Sequence, residues 1–161
     1  MANLSKILLF VAAGMGILVV IAIGILAILA RFVKSPPYLG VRDGQLAPCP
    51  SSPNCVSTQS QDKTHGIAPI ALDTPVQQAQ TRLIGIIQAM ERTRVIVTEP
   101  TYIHAEFRTP GIQYVDDVEF YLDEQAALIH FRSASRMPYW DWGVNRNRME
   151  KIRRAFEAQE N

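Results

Sequence analysis

Residues 116–133 read Asp-Asp-Val-Glu-Phe-Tyr-Leu-Asp-Glu-Gln-Ala-Ala-Leu-Ile-His-Phe-Arg-Ser, and their alternation decides the fold. Val118, Phe120 and Leu122 alternate with Asp117, Glu119 and Tyr121, and Ile129 and Phe131 alternate with His130 and Arg132. A period of two marks strands with one buried face. A slip of one residue turns every apolar side chain toward water, so both apolar sets must face the same core. A two-residue connection at Glu124-Gln125 achieves this by pairing Phe120 with Ile129 and Val118 with Phe131. It also sets Glu119 beside His130, and Asp117 beside Arg132, on the opposite face. Glu-Gln is weak chemistry for so tight a turn.

Working outward, the pattern predicts four strands: Val95 to Thr98, Thr101 to Arg108, Asp116 to Leu122, and Ala126 to Ser133. Their short connections, with Pro110-Gly111 at the longer middle turn, favour an antiparallel meander. Ile67 to Leu72 offers a further short strand. Between them, Val76, Ala79, Leu83, Ile86, Ile87 and Met90 recur at helical spacing, with Thr74 as the expected N-cap and Pro75 in the first turn. A last helix is expected from about Val144 to Ala158, with Met149, Ile152 and Phe156 on one stripe. The pairs Arg146/Glu150, Glu150/Arg154 and Arg153/Glu157 lie on its surface. The expectation is an α+β domain: an antiparallel four- to five-stranded sheet with two helices on one face.

Upstream, residues 7–30 carry no charge and are apolar throughout, long enough for a helix to cross about 30 Å of hydrocarbon. A cleavable signal has a shorter apolar core and small residues at its cleavage site, which Ile28-Leu29-Ala30 matches poorly. The chain therefore divides into a short tail (1–6), a transmembrane anchor (7–33), a tether rich in Pro, Ser and Gly (34–66), and the α+β domain (67–161). Arg31, Lys34 and Arg42 follow the span and only Lys6 precedes it, which by simple count favours a cytoplasmic domain. Against that, folded domains translocate despite nearby charge, and the only two cysteines, Cys49 and Cys55, lie close together in the tether. Such an isolated pair suits a disulfide in an oxidising compartment. An extracytoplasmic, periplasmic domain is the preferred reading. Sixteen Lys and Arg against fifteen Asp and Glu give a formal charge of +1. That is no electrostatic footprint for nucleic acid.

The strand face away from the helices should be uncovered and show His104, Glu106 and Arg108, then Asp117, Glu119 and Tyr121, then His130 and Arg132. Imidazoles beside carboxylates suit general acid–base work, with His104 or His130 as base and Glu119 orienting it. A solvated face laced with ion pairs is the simpler explanation. No metal site and no cofactor are expected, and His65 in the tether should be solvated. Arg132, Arg136, Asn145 and Arg146 crowd the junction of the last strand and last helix, together with Trp140, Asp141 and Trp142. These four form the ligand-binding candidate, since a helix start surrounded by arginines attracts anions. With Pro48, Pro50 and Pro53 around its cysteines, the tether cannot be a central strand. It should be held by side chains from residues 132–148.

Cys-Pro-Ser-Ser-Pro-Asn-Cys-Val-Ser (49–57) and Ser-Arg-Met-Pro-Tyr-Trp-Asp-Trp-Gly-Val-Asn-Arg-Asn-Arg (135–148) together resemble the domain of unknown function 1499 family, over about residues 37–158. The resemblance implies a membrane-bound or exported protein and passes on no catalytic residue. Two functions follow as expectations. One is an envelope protein, anchored in the lipid bilayer, that binds a small ligand, lipid headgroup or protein partner. The other is a hydrolase or other enzyme using the His/Glu/Arg face.

Overall fold

The computed structural model describes residues 3–31, 34–111, 113–137 and 142–158. Helix α1 (Leu4–Arg31) contains the stretch Lys6–Ile25, which is long and apolar enough to cross a membrane and is not buried against the rest of the chain. After it come β1 (Cys55–Ser57), β2 (Ile70–Ala71), α2 (Val76–Gln88), β3 (Thr93–Glu99), β4 (Tyr102–Arg108), β5 (Val115–Asp123), β6 (Leu128–Ser135) and α3 (Val144–Glu157). The α+β class is as the periodicities require. Strands β3 to β6 form the antiparallel meander, and β1 and β2 both pair antiparallel with β6, giving the order β1-β6-β5-β4-β3. Strand β1 lies in what the composition marks as irregular tether. It joins at an edge, the position at which neighbouring prolines are tolerated.

The β5–β6 register differs from the expected one by two residues. Phe120 pairs with Phe131, Leu122 with Ile129, Glu119 with Arg132, and Tyr121 with His130. The face assignment survives because a shift of two preserves parity. The cause is the turn. Asp123 Oδ1 accepts from the backbone N–H groups of Gln125 and Ala126, both at 3.0 Å, and Ala127 takes a positive φ of 52°. An aspartate that folds the backbone onto its own carboxylate favours this four-residue loop over the two-residue one.

Helix α2 starts at Val76 with Pro75 in the cap position and no side-chain cap bond. The expected cap, Thr74, instead has its hydroxyl buried without a partner among the described residues. The far end is closed by Thr93, whose hydroxyl donates to the carbonyls of Ile87 and Met90 at 2.9 and 3.1 Å. On α3, Glu150 pairs with Arg153, while Arg146 Nη2 reaches across to the carbonyl of Thr64 at 2.9 Å.

The core lies between the sheet and both helices. Leu83 and Ile87 of α2 and Met149, Ile152 and Phe156 of α3 pack on Ile103, Phe120, Ile129 and Phe131, all essentially inaccessible to solvent. Phe120 and Phe131 meet with ring centroids 6.3 Å apart. Burying each such ring stabilises the fold by about 1.5–3 kcal/mol, which fixes the face these strands present to the core and leaves the register to the turn.

Candidate functional site

The sheet face opposite the helices is covered, contrary to the sequence expectation. Residues 35–61 run across it as a strap. Gly40 N–H donates to Glu119 Oε1 at 2.8 Å, and Leu46 is buried, with its N–H held by Gln59 Oε1 at 2.8 Å. Gln59 Nε2 returns a 2.8 Å bond to the carbonyl of Gly44, and Cys49 and Cys55 are joined by a disulfide. Gly40 adopts φ +115°, a conformation that L side chains rarely take, which lets its N–H point down at the carboxylate. Isolated apolar residues such as Leu46 carry no period, so the covering was invisible to periodicity.

Beneath the strap the polar ladder divides into two buried clusters. In the first, His104 Nε2 lies 2.7 Å from Asp117 Oδ1, and Arg136 donates from Nε to Asp117 Oδ2 at 2.8 Å and from Nη2 to Asp117 Oδ1 at 2.7 Å and Glu106 Oε1 at 2.6 Å. Burial opposes the charge on Asp117, but the bonds from Arg136 and His104 outweigh it and hold the carboxyl below its ordinary range. The same desolvation works against Arg136 and is likewise outweighed by Asp117 and Glu106, so its pKa is raised. In the second cluster, Glu119 accepts from Tyr102 Oη at 2.8 Å, from Gly40 N–H, and from Arg132 Nη1 at 3.3 Å. Burial, then the neighbouring Glu119 carboxylate, push the Tyr102 phenol upward. It is a fixed donor.

The three catalytic candidates are thus placed apart in function. His104 is oriented by Asp117 and not by Glu119, and Glu119 is engaged by three donors. His130 is half-buried, 3.1 Å from the Thr58 hydroxyl through Nδ1 and stacked on Tyr121; burial lowers its pKa, with Asp123 opposing weakly. His65, expected in solvent, is buried, its Nδ1 2.9 Å from Asp62 Oδ1 and its Nε2 3.1 Å from the carbonyl of Ser52. Hydrogen bonds from Ser60 and His65 hold the exposed Asp62 carboxyl well below the usual range.

The four ligand-binding candidates also take different positions. Asn145 is fully buried: Nδ2 donates to the carbonyl of Asn54 at 3.1 Å, and Oδ1 accepts from Arg148 Nη1 at 2.8 Å and from the Ser133 hydroxyl. Asn54 Nδ2 in turn donates to the carbonyl of Met137 at 2.6 Å. The cysteine loop and the β6–α3 junction therefore meet, as side-chain docking of the tether requires. Arg136 serves the acid cluster, and Arg146 reaches the carbonyl of Thr64, just beyond the strap. Trp140 and Asp141 lie outside the described residues. Sequence reasoning missed Asp116, which faces the helix side and binds Arg148 Nη2 at 2.6 Å. Its placement on the core side of β5 was the available signal.

Arg132 is the exception. Its side chain is 1 % exposed, Nη1–Glu119 is its one hydrogen bond among the described residues, and its Nε is buried with no partner. The guanidinium lies 5.7 Å from the Tyr38 ring. It lines a cavity of about 550 Å³ between strap and sheet, walled also by Tyr38, Arg42, Leu46, the Cys49 end of the disulfide and Pro50. Such a cavity presents an apolar wall, a deep cation and a second cation at the exposed rim.

No curated protein matches the chain. A family model described as protein of unknown function (DUF1499) matches residues 45–156, which takes in the cysteine loop, the whole sheet and nearly all of α3. The chain belongs to the DUF1499 family.

Proposed function

We propose that this protein is a membrane-anchored envelope protein whose domain, on the extracytoplasmic side, binds a small anionic ligand in the cavity between the strap and the sheet. The observation that carries the reading is Arg132. A buried guanidinium that makes one long hydrogen bond and keeps its Nε buried without a partner among the described residues is costly to maintain, since an unsatisfied buried donor costs about 1–3 kcal/mol. A carboxylate or phosphate oxygen in the cavity offsets that cost with charge-assisted bonds. The apolar wall from Leu46 and the prolines suits a ligand with a nonpolar part. Helix α1 supports the anchor, and the disulfide supports an oxidising compartment. Because the carboxylates of the sheet face are engaged with arginines, a tyrosine and the strap, a binding role is favoured over catalysis on that face.

Calorimetric titration of the full chain in detergent with inorganic phosphate and with benzoate tests this. One of the two should bind saturably and raise the melting temperature. Arg132→Lys, which keeps charge but loses the planar donor edge, should weaken binding at least tenfold. Arg42→Gln, at the exposed rim, should weaken it several-fold without altering the fold. Wild-type protein that binds neither anion saturably ends the reading.

A further inference from the structure

A second cleft lies at the opposite end of the β6 strand from its β2 partner, and its position relative to the span carries an inference about the bilayer. Helix α1 ends at Arg31, and by Ser35 the chain already accepts a hydrogen bond from Arg136 Nη2 at 2.9 Å. Four residues of chain reach at most about 14 Å. The headgroup layer on each side of the hydrocarbon is about 5–7 Å deep. With α1 in the bilayer, as the anchor reading above requires, the sheet end bearing Arg136 is held at or just above the headgroups.

That end brings three arginines into line, of which Arg136 is buried and engaged by Asp117 and Glu106. Arg136 N–H bonds the carbonyl of Val115 at 3.0 Å, Val115 pairs with Arg108, and Arg108 N–H bonds the carbonyl of Arg92 at 3.0 Å. Beside this row, between the end of α2 and the start of α3, is a cleft of about 790 Å³. Its cations are Arg92, Arg108, Arg148 and Lys151, against the carboxylates of Glu91 and Asp116. Arg148 pairs with Asp116 at 2.6 Å, Arg92 with the exposed Glu91 at 2.7 Å and Arg108 with Glu106 at 3.5 Å, while Lys151 makes no ion pair among the described residues. The apolar lining comes from Met90, Phe107, Tyr114 and Met137, and the Thr109 hydroxyl is buried there without a partner among the described residues. On the rim Trp142 is 87 % exposed, held there by a left-handed backbone at φ 47°. An indole held out in water is unfavourable, whereas at a headgroup boundary its apolar ring and N–H are both accommodated.

We infer that this end of the sheet rests on the bilayer and that the cleft takes the headgroup of an anionic phospholipid from the anchoring membrane. The cations bind the phosphate, the apolar lining receives the glycerol and upper acyl region, and Trp142 inserts at the boundary. The cavity at Arg132 is separate from it.

The test uses the full chain carrying Trp140→Phe, which leaves Trp142 as the single tryptophan, in nanodiscs of phosphatidylcholine alone or with 30 mol % (about one lipid in three) phosphatidylglycerol. A quencher on the lipid headgroup should reduce Trp142 emission at least twofold more in the anionic discs, and aqueous iodide should lose access to it. Arg92→Gln with Lys151→Gln should abolish the difference between the two lipids. Trp142 equally open to iodide in both discs, while the protein co-elutes with them, overturns the docking and leaves the anchor intact. Protein that does not co-elute with discs overturns the anchor and the docking together. Inorganic phosphate that reproduces the emission change in detergent overturns the lipid assignment in favour of a free-phosphate site.

Discussion

Asn145 and Asn54, ninety-one positions apart in the chain, are joined by a 3.1 Å bond from the side-chain amide of the first to the carbonyl of the second. Asn145 is the first-turn residue of α3 and Asn54 precedes β1, so this contact fastens the strap to the helix layer. Asn145→Asp removes the donor and places a carboxylate against a carbonyl in a fully buried position. It should lower stability by about 2–3 kcal/mol, read by urea unfolding. A loss below about 0.5 kcal/mol, the ordinary range for surface changes, would show that the clamp is dispensable.

Glu119→Ala should be among the most damaging single changes, because it leaves Arg132 as an uncompensated buried cation and strips the acceptor from Tyr102 and Gly40. Removing one partner of a buried pair costs about 3–5 kcal/mol. Glu119→Gln keeps an acceptor for Tyr102 and should lose less. Equal losses for the two variants would mean that charge contributes nothing there.

Acid should weaken the fold in two stages with known sign. The His130 pKa is lowered from 6.5 by burial, so the unfolded chain takes up that proton first. Its contribution is full above 6.5 and is lost as pH falls through the folded value. Asp117 is lowered from 3.8; its contribution is full above 3.8 and disappears as pH falls further. His130→Gln should flatten the stability profile just below 6.5 while leaving the steeper acid limb. Two-dimensional NMR titration of the imidazole gives an independent check, and a His130 pKa above 6.5 would reverse the sign.

Topology follows from the cysteines. A reporter fused after Asn161 should be active only when it reads the extracytoplasmic side; activity confined to the cytoplasm would sink the periplasmic reading. The bridge itself closes a ring over a separation of six residues. Cys49→Ser with Cys55→Ser should cost about 2 kcal/mol in the loop-entropy account, measurable by thermal unfolding under oxidising conditions.

The parts of this fold legible in sequence are those set by periodicity. Phe120 and Phe131 declare their face by alternation, and Leu83 and Ile87 declare theirs by helical spacing. Which residue meets which was not legible, since the β5–β6 pairing is decided by Asp123 bonding its own turn. The membership of the polar face was also legible, but its environment was not. Glu119 and Arg132 are buried by a strap whose contacts run through backbone groups, single apolar residues and one glycine φ, none of which leaves a periodic trace. Arg132 was singled out for its crowding of positive charge. Its unpartnered Nε appears only once the strap is in place.

Strand β1 pairs Cys55 with Ala134, and that pairing orders events in time. During synthesis the strap leaves the ribosome before the meander, and its hydrogen-bonding partner follows only after β2 to β5, so the edge of the sheet can close only once most of the domain has appeared. Pairings of such long sequence separation are slow to form. The disulfide is under no such delay, because Cys49 and Cys55 are near neighbours in the chain and the ring can be sealed as soon as both meet an oxidant. The nascent protein therefore carries a pre-shaped loop that waits for β6, and a variant lacking the cysteines should show its defect first as slower refolding.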